Sequence, residues 1–301
     1  MKGGDTVDVQ VLWQQAREVW EAIYALYRPV VDRLSVECGP AWGILVAALT
    51  FEPETTTPER LQVRIPYTAA ALYRARLEEL AGRGLLVEVG HREYRLTEDA
   101  RQRLLRAVEE MRARMDQADP LPPAEGARLA GLLGRLARSA LEAPPPPEPW
   151  SIRLSWKLMP PERPPLPYIE QAISCLNAYR DDAHLAAWHP SGVSAAALEA
   201  LTLLWRGQAD SLETLFARLA YRGHSPPAYA EALAELRARG WLEGPDEAPR
   251  LTAAGCAFRE QVEADTDRYF FAPWSGLEAA EQEEMGRLLL RLRDGLKGRP
   301  A

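Results

Sequence analysis

The sequence predicts a mainly α-helical protein with two small β-hairpins, built from one helical unit written twice. Three observations predict this. Apolar residues recur at helical spacing through several long runs. Two short segments alternate polar and apolar residues around turn-forming ones. One phrase occurs twice, LEELAGRGLL at 77–86 and LAELRARGWL at 233–242, 156 positions apart.

The elements follow in order. Leu12, Val19, Ile23, Leu26, Val30 and Leu34 set the apolar face of a long first helix. PAWGILVAALTF at 40–51 gives a second, opened by Pro40. Tyr67 to Arg83 gives a third, with Leu72, Leu77 and Leu80 inward and Gly84 as its stop. LLVEVGHREYRLT at 85–97 is a hairpin turning at GHR, in which Val87 and Val89 alternate with polar residues. Thr97 caps a long helix with an acidic first turn, and a last helix covers 124–141.

Four consecutive prolines in EAPPPPEPW, 142–150, end this half, because they favour extended geometry over helix. A second Pro-rich stretch, LMPPERPPLPY, follows at 158–168. Between them WSIRLSWKL alternates and is expected to be a short strand or extended strap. The division falls near 149, giving domains 1–149 and 150–301, with 144–167 as a semi-rigid connector. The second half repeats the order: helices over 168–188, 194–207 and 225–240, the last with Pro226 and Pro227 in its first turn. A hairpin one residue shorter comes next, then helices over 252–271 and 276–296. The same order at nearly constant offset indicates an internal duplication.

A helix ending in Arg-Gly-Leu, a hairpin ending in Leu-Thr, then a long helix resembles the MarR-type winged helix-turn-helix. The residues carrying this are Leu77, Leu80, Arg83, Gly84, Leu85, Leu96 and Thr97 in the first half. In the second they are Leu233, Leu236, Arg239, Gly240, Leu242 and Leu251 to Gly255. Through RDDAHLAAW, LTLLWRG, ARGWL and EADTDRYFFAPW, the second half also resembles the SalK-like helix-turn-helix group. The MarR resemblance implies a two-fold pair joined through terminal helices, with two reading helices about one DNA turn apart. Two fused copies would form that pair inside one chain as an intramolecular pseudo-dimer, the connector raising their effective concentration. It also implies a small aromatic or apolar effector held between the dimerisation helices and the DNA-binding lobes. Trp13, Trp20, Tyr24 and Tyr27 of the first half, and Trp188, Trp205, Tyr269, Phe270, Phe271 and Trp274 of the second, are ordinary packing residues that would also suit such a cavity.

Duplex DNA demands positive charge at the reading helix and wing. From Arg64 to Arg114 there are 11 Arg against 8 Asp or Glu; from Leu219 to Phe271 there are 6 Arg against 9. The first copy offers Thr68, Arg74 and Arg76, with Tyr67, on its reading helix, and His91, Arg92 and Arg95 on its wing. The second offers Tyr229, Glu231 and Glu235 and a wing reading EGPDEAP, which would repel phosphate. DNA contact is therefore expected mainly through the first copy. For any single Arg, a solvated surface charge is the plainer account.

Asp181, His184 and Trp188 fall near one helical face; Glu263 and Asp267 lie one turn apart, with Asp265 on another face. Together they are candidates for a ligand site. The plainer alternative is an ion-pair network with Arg180 or Arg268. No HExxH, GxSxG, Walker or GxGxxG motif is present, so neither catalytic residues nor a metal nor a cofactor is indicated. His91 is expected to cap the wing turn, His189 to end its helix, and His224 to lie exposed beside the second reading helix.

The net charge of −7 argues mildly against a whole-surface nucleic-acid binder. Three dispersed cysteines, Cys38, Cys175 and Cys256, form no CxxC, and MKGGDTVDVQ has no apolar signal segment. No apolar run is long enough for a membrane span. The expectation is a cytoplasmic transcriptional regulator of duplex DNA. A ligand-binding protein or enzyme on a repurposed scaffold, and a protein-interaction module, stand as alternatives, and further self-association stays open.

Overall fold

The computed structural model describes residues 8–298. The first half runs α1 (Val9–Cys38), α2 (Trp42–Phe51), α3 (Pro58–Arg64), α4 (Ala70–Gly82), β1 (Leu86–Gly90), β2 (Glu93–Leu96), α5 (Glu98–Ala118) and α6 (Pro123–Leu141). After α7 (Trp150–Trp156), the second half runs α8 (Pro165–Trp188), α9 (Ala195–Trp205), α10 (Leu212–Leu219), α11 (Pro226–Ala238), β3 (Leu242–Glu243), β4 (Arg250–Leu251), α12 (Ala253–Phe271) and α13 (Ala279–Lys297). Apart from α7, the second half follows the element order of the first.

Local chemistry explains the boundaries. Asp8 caps α1 through Gln10 N, and Thr97 caps α5 through Ala100 N, as its sequence suggested. Two helices escaped the sequence reading. The first, α3, is short, with Thr57 as its cap and Pro58 in its first turn. The other, α10, is opened by a reciprocal capping box between Ser211 and Thr214. Neither is long enough to show an apolar period. The expected third helix begins at Ala70, not Tyr67.

The segment expected to be a strand or strap is the helix α7. Pro149 supplies no side-chain cap there. Asp182 does so from α8: its two carboxylate oxygens accept Ser151 N at 2.8 Å and Ile152 N at 3.0 Å. First-turn N–H groups that lack a local partner are thereby satisfied.

The chain forms two compact units, and neither coincides with a half of the sequence. A helical unit comprises residues 8–53, 96–182 and 270–298; a winged unit comprises 54–95 and 183–269. In the helical unit α1 packs on α13 and α5. The face of α1 that carries Leu12, Val19, Ile23, Val30 and Leu34 is buried as the spacing predicts, while Leu26 is only half-buried. Trp13 meets Phe270 edge-on at 4.8 Å and Trp274 at 6.5 Å, and Phe270 and Trp274 are almost fully enclosed. Glycines set the closest approaches. A Cβ on Gly286 would stand 2.8 Å from the Leu12 side chain, and one on Gly134 would stand 2.5 Å from the Tyr168 hydroxyl.

In the winged unit, α9, α10 and α11 enclose Leu198, Leu201, Leu215, Leu219, Leu233 and Leu236. The hairpin of β3 and β4 is antiparallel, pairing Leu242 with Leu251 and Glu243 with Arg250. The β1–β2 hairpin gains a further rung, where Thr56 and Tyr94 exchange both backbone hydrogen bonds at 2.8 and 3.0 Å. Tyr94 is buried beneath it, while Val87 and Val89 face solvent.

Candidate nucleic-acid interface and ligand cavity

The first hairpin presents its basic side chains outward: His91, Arg92 and Arg95 are all exposed. Its turn is fixed by Arg92, whose φ of 59° lies in the left-handed region, and by Arg92 N donating to Glu88 Oε1 at 2.9 Å. The acceptor that closes the turn is therefore Glu88, where His91 was expected. On α4, Arg74 and Arg76 are half-buried.

Thr68 does not fit the role expected of it. It is 9% exposed, and its carbonyl accepts Gln62 Nε2 at 3.0 Å. A side chain so enclosed cannot reach a base edge. Residues around the start of α4 pack on the second half inside the same unit. Ala69 N donates to Arg222 O at 2.9 Å, and the Arg222 guanidinium lies 5.4 Å from the Tyr67 ring centroid. Tyr67 stands 6.1 Å from Trp188. His224 Nε2 lies 2.9 Å from the Tyr67 carbonyl, which requires that nitrogen to carry the proton. His224 is thus half-buried where exposure was expected. Tyr229, expected on a reading surface, is fully buried. Helix-turn-helix proteins read bases with the N-terminal residues of this helix. Here Tyr67, Ala69 and Leu72, around the start of α4, pack on Trp188, Arg222, Gly223 and His224, while Ala71 and the first residues of α11 stay exposed.

The second hairpin is tied down. Arg237 donates to Gly244 O at 2.8 Å and to Asp246 Oδ1 at 2.6 Å, and Asp246 O accepts Leu212 N at 2.8 Å. Its loop exposes Glu247 and carries no basic residue.

The candidate ligand residues fall on α8 and α12. Asp181 belongs to the helical unit; His184, Trp188, Glu263 and Asp267 belong to the winged unit. His184 Nδ1 lies 3.2 Å from Thr266 Oγ1. Trp188 is buried. Glu263 accepts from Arg259, a nearly inaccessible guanidinium that also donates to Thr202 Oγ1 at 2.9 Å. Arg268 pairs with Asp265 at 2.7 Å. Asp265 thus pairs with Arg268, an ion pair the plainer alternative named, while Glu263 pairs with Arg259, which it did not. Among the described residues no cluster of His, Cys, Asp and Glu could hold a metal ion.

A cavity of about 390 Å³ lies instead wholly among residues of the helical unit. Its walls come from α1 (Trp20, Tyr24, Tyr27), α2 (Trp42, Val46), α5 (Leu104 to Met115), the connector and α8. Trp20 and Tyr24 stack at 5.6 Å, and Tyr24 meets Tyr27 edge-on at 5.2 Å. Into this apolar wall α8 brings Glu170. Its Oε1 accepts three donors: Trp20 Nε1 at 3.1 Å, Tyr27 Oη at 3.0 Å and Ser174 Oγ at 3.1 Å. Burial holds its carboxyl above the usual carboxylate range, against the opposing pull of Tyr27, Ser174, Trp20 and Arg112. Burial likewise pushes the Tyr27 phenol up. Sequence reasoning named Trp20, Tyr24 and Tyr27 but not Glu170. A lone Glu in YIEQAISC gives no sign of lying 150 positions from its partner Trp20 and touching it.

A family model described as a helix-turn-helix family matches residues 151–298. This supports a helix-turn-helix domain in the C-terminal half and, in general terms, a DNA-binding regulator. No curated protein and no solved structure matches the chain. No single helix among the described residues is long and apolar enough to cross a membrane.

Proposed function

We propose that the chain is a MarR-like, ligand-responsive transcriptional regulator in which two copies of a winged helix-turn-helix act as a single-chain pseudo-dimer. The helix-turn-helix match carries the DNA-binding part of this reading. Reciprocal packing supports the pairing. First-half α1 packs on second-half α13, with Leu12 against Gly286, and second-half α8 meets first-half α6 where Tyr168 touches Gly134 and accepts from Arg138. Tyr168 stands 156 positions after Leu12, the offset of the repeated phrase. Arg128 and Glu284, an ion pair at 2.7 Å across α6 and α13, are also 156 apart.

DNA contact falls mainly to the first copy, through His91, Arg92, Arg95, Arg74 and Arg76. In the arrangement described, Tyr67, Ala69 and Leu72 pack against Trp188 and residues 222–224, so this reading takes it as a closed form whose heads part before both reading helices meet DNA. The cavity is the place where a ligand would bias that step. Fluorescence anisotropy against duplexes from the upstream region of its own coding sequence, titrated with salt, tests the reading. Expected is binding with a steep negative salt slope that Arg92→Ala and Arg74→Ala flatten, by about one unit for each phosphate contact removed. Absence of binding above the nonspecific level on those duplexes, for wild type and for the head-opening variant Leu72→Glu alike, overturns it. The covered helix start and the cavity would then favour a small-molecule-binding protein on a helix-turn-helix scaffold.

A further inference from the structure

We infer that the cavity of the helical unit binds an organic cation: a protonated amine carried on an aromatic or apolar body. The inference names the effector class of the regulator proposed above and rests on that reading only for the consequence of binding.

The argument begins with which polar atoms the cavity offers. All three donors to Glu170 converge on Oε1, and among the described residues Oε2 accepts no hydrogen bond. Gln171 is similar. Its amide nitrogen donates to Ser155 O at 2.9 Å and Ser155 Oγ at 3.1 Å, and its carbonyl oxygen accepts no hydrogen bond among the described residues. The donors around Glu170 Oε1 are already engaged, since the Trp20 indole, the Tyr27 phenol and the Ser174 hydroxyl all point at it, while the Tyr24 phenol and the Trp42 indole line the cavity without an acceptor among the described residues. Arg112, the guanidinium among the lining residues, donates to Glu109 Oε1 at 2.9 Å and to the Leu158 carbonyl at 3.0 Å. The ionisable group left with an open position is the Glu170 carboxylate, through Oε2, and it stands beside a wall of aromatic faces. An ammonium group satisfies both, through a charge-assisted hydrogen bond to the carboxylate and attraction to the Trp20 and Tyr24 rings.

Energetics point the same way. A carboxylate placed in an apolar wall is costly unless it is paired, and burial does hold Glu170 toward its neutral form. A bound cation offsets that cost, and an anion adds to it. The volume of about 390 Å³ suits a body of drug-like size.

The test uses the full chain and three molecules with one skeleton, 4-phenylbutylamine, 4-phenylbutanol and 4-phenylbutyrate, followed by calorimetry without DNA. Expected is a Kd for the amine about tenfold or more below that of the alcohol, with the butyrate weakest. Glu170→Gln should remove the amine's advantage and leave the alcohol unchanged. Val108→Trp, which fills the cavity, should abolish binding of all three. The inference is overturned if the butyrate binds tightest, as pairing with Arg112 would give, if amine and alcohol bind equally, or if Glu170→Gln leaves the amine unaffected. Should Glu170→Gln lose its cooperative melting transition, the amine-to-alcohol ratio of the wild type, with its loss in Val108→Trp, decides. DNA plays no part in these measurements, so failure here and failure of the regulator reading are separately visible.

Discussion

Asp182 illustrates how one side chain links two elements. It is 4% exposed, and the N–H groups of Ser151 and Ile152 stabilise its charged form. Burial outweighs them and raises its pKa to about 6. A carboxyl raised in the folded state binds more protons there than in the unfolded chain. Its contribution is therefore fully present below the unfolded value of 3.8 and is lost as pH rises through about 6. That shift corresponds to about 3 kcal/mol at most. Asp182→Asn keeps one acceptor and loses the titration. Urea unfolding at pH 4 and pH 7 should show wild type losing about 2–3 kcal/mol relative to the variant as pH rises. A difference that stays flat across that range contradicts the account.

At the scale of the element, the second hairpin and the start of α12 depend on one glycine. Trp241 O accepts Thr252 N at 3.1 Å, and a Cβ on Gly255 would stand 2.2 Å from that oxygen. Backbone cannot yield there as a flexible side chain could. Gly255→Ala should therefore cost about 1–3 kcal/mol in chemical denaturation, and a neutral result would show that α12 shifts freely. The same scale explains the misread α7. Its alternating sequence is compatible with a strand, but a strand needs a neighbour to pair with. A carboxylate on α8 makes the helix the better-satisfied conformation.

For the whole molecule, the compact units cut across the sequence division at 149 because each half leaves its terminal helices incomplete. Leu12 and Val19 of α1 are almost fully buried, and α1 makes its most extensive packing with α13 of the other half. Neither 1–149 nor 150–301, expressed alone as a monomer, should give a cooperative thermal transition, whereas the two co-expressed should copurify and melt cooperatively. Circular dichroism with size-exclusion chromatography decides this. A monomeric 1–149 that unfolds cooperatively sinks the pseudo-dimer.

The sequence by itself determined what depends on local periodicity and backbone chemistry: the long helices, the two hairpins, the cap at Thr97, the glycine stops and the matching order of elements in the two halves. Nearby residues dictate these, so they are written where they act. It also marked the charge contrast between the two hairpins, since exposed Arg92 and Arg95 need no partner to be positive. Tertiary structure alone decided which of those residues are free to act. Tyr229 lies on the helix where the pattern put it, yet it is fully buried, and Thr68 falls just before α4, enclosed, with its carbonyl held by Gln62. Glu170 gained its unusual setting from Trp20 and Tyr27, more than 140 positions away. Burial and desolvation come from residues distant in sequence, and no period along a single helix encodes them.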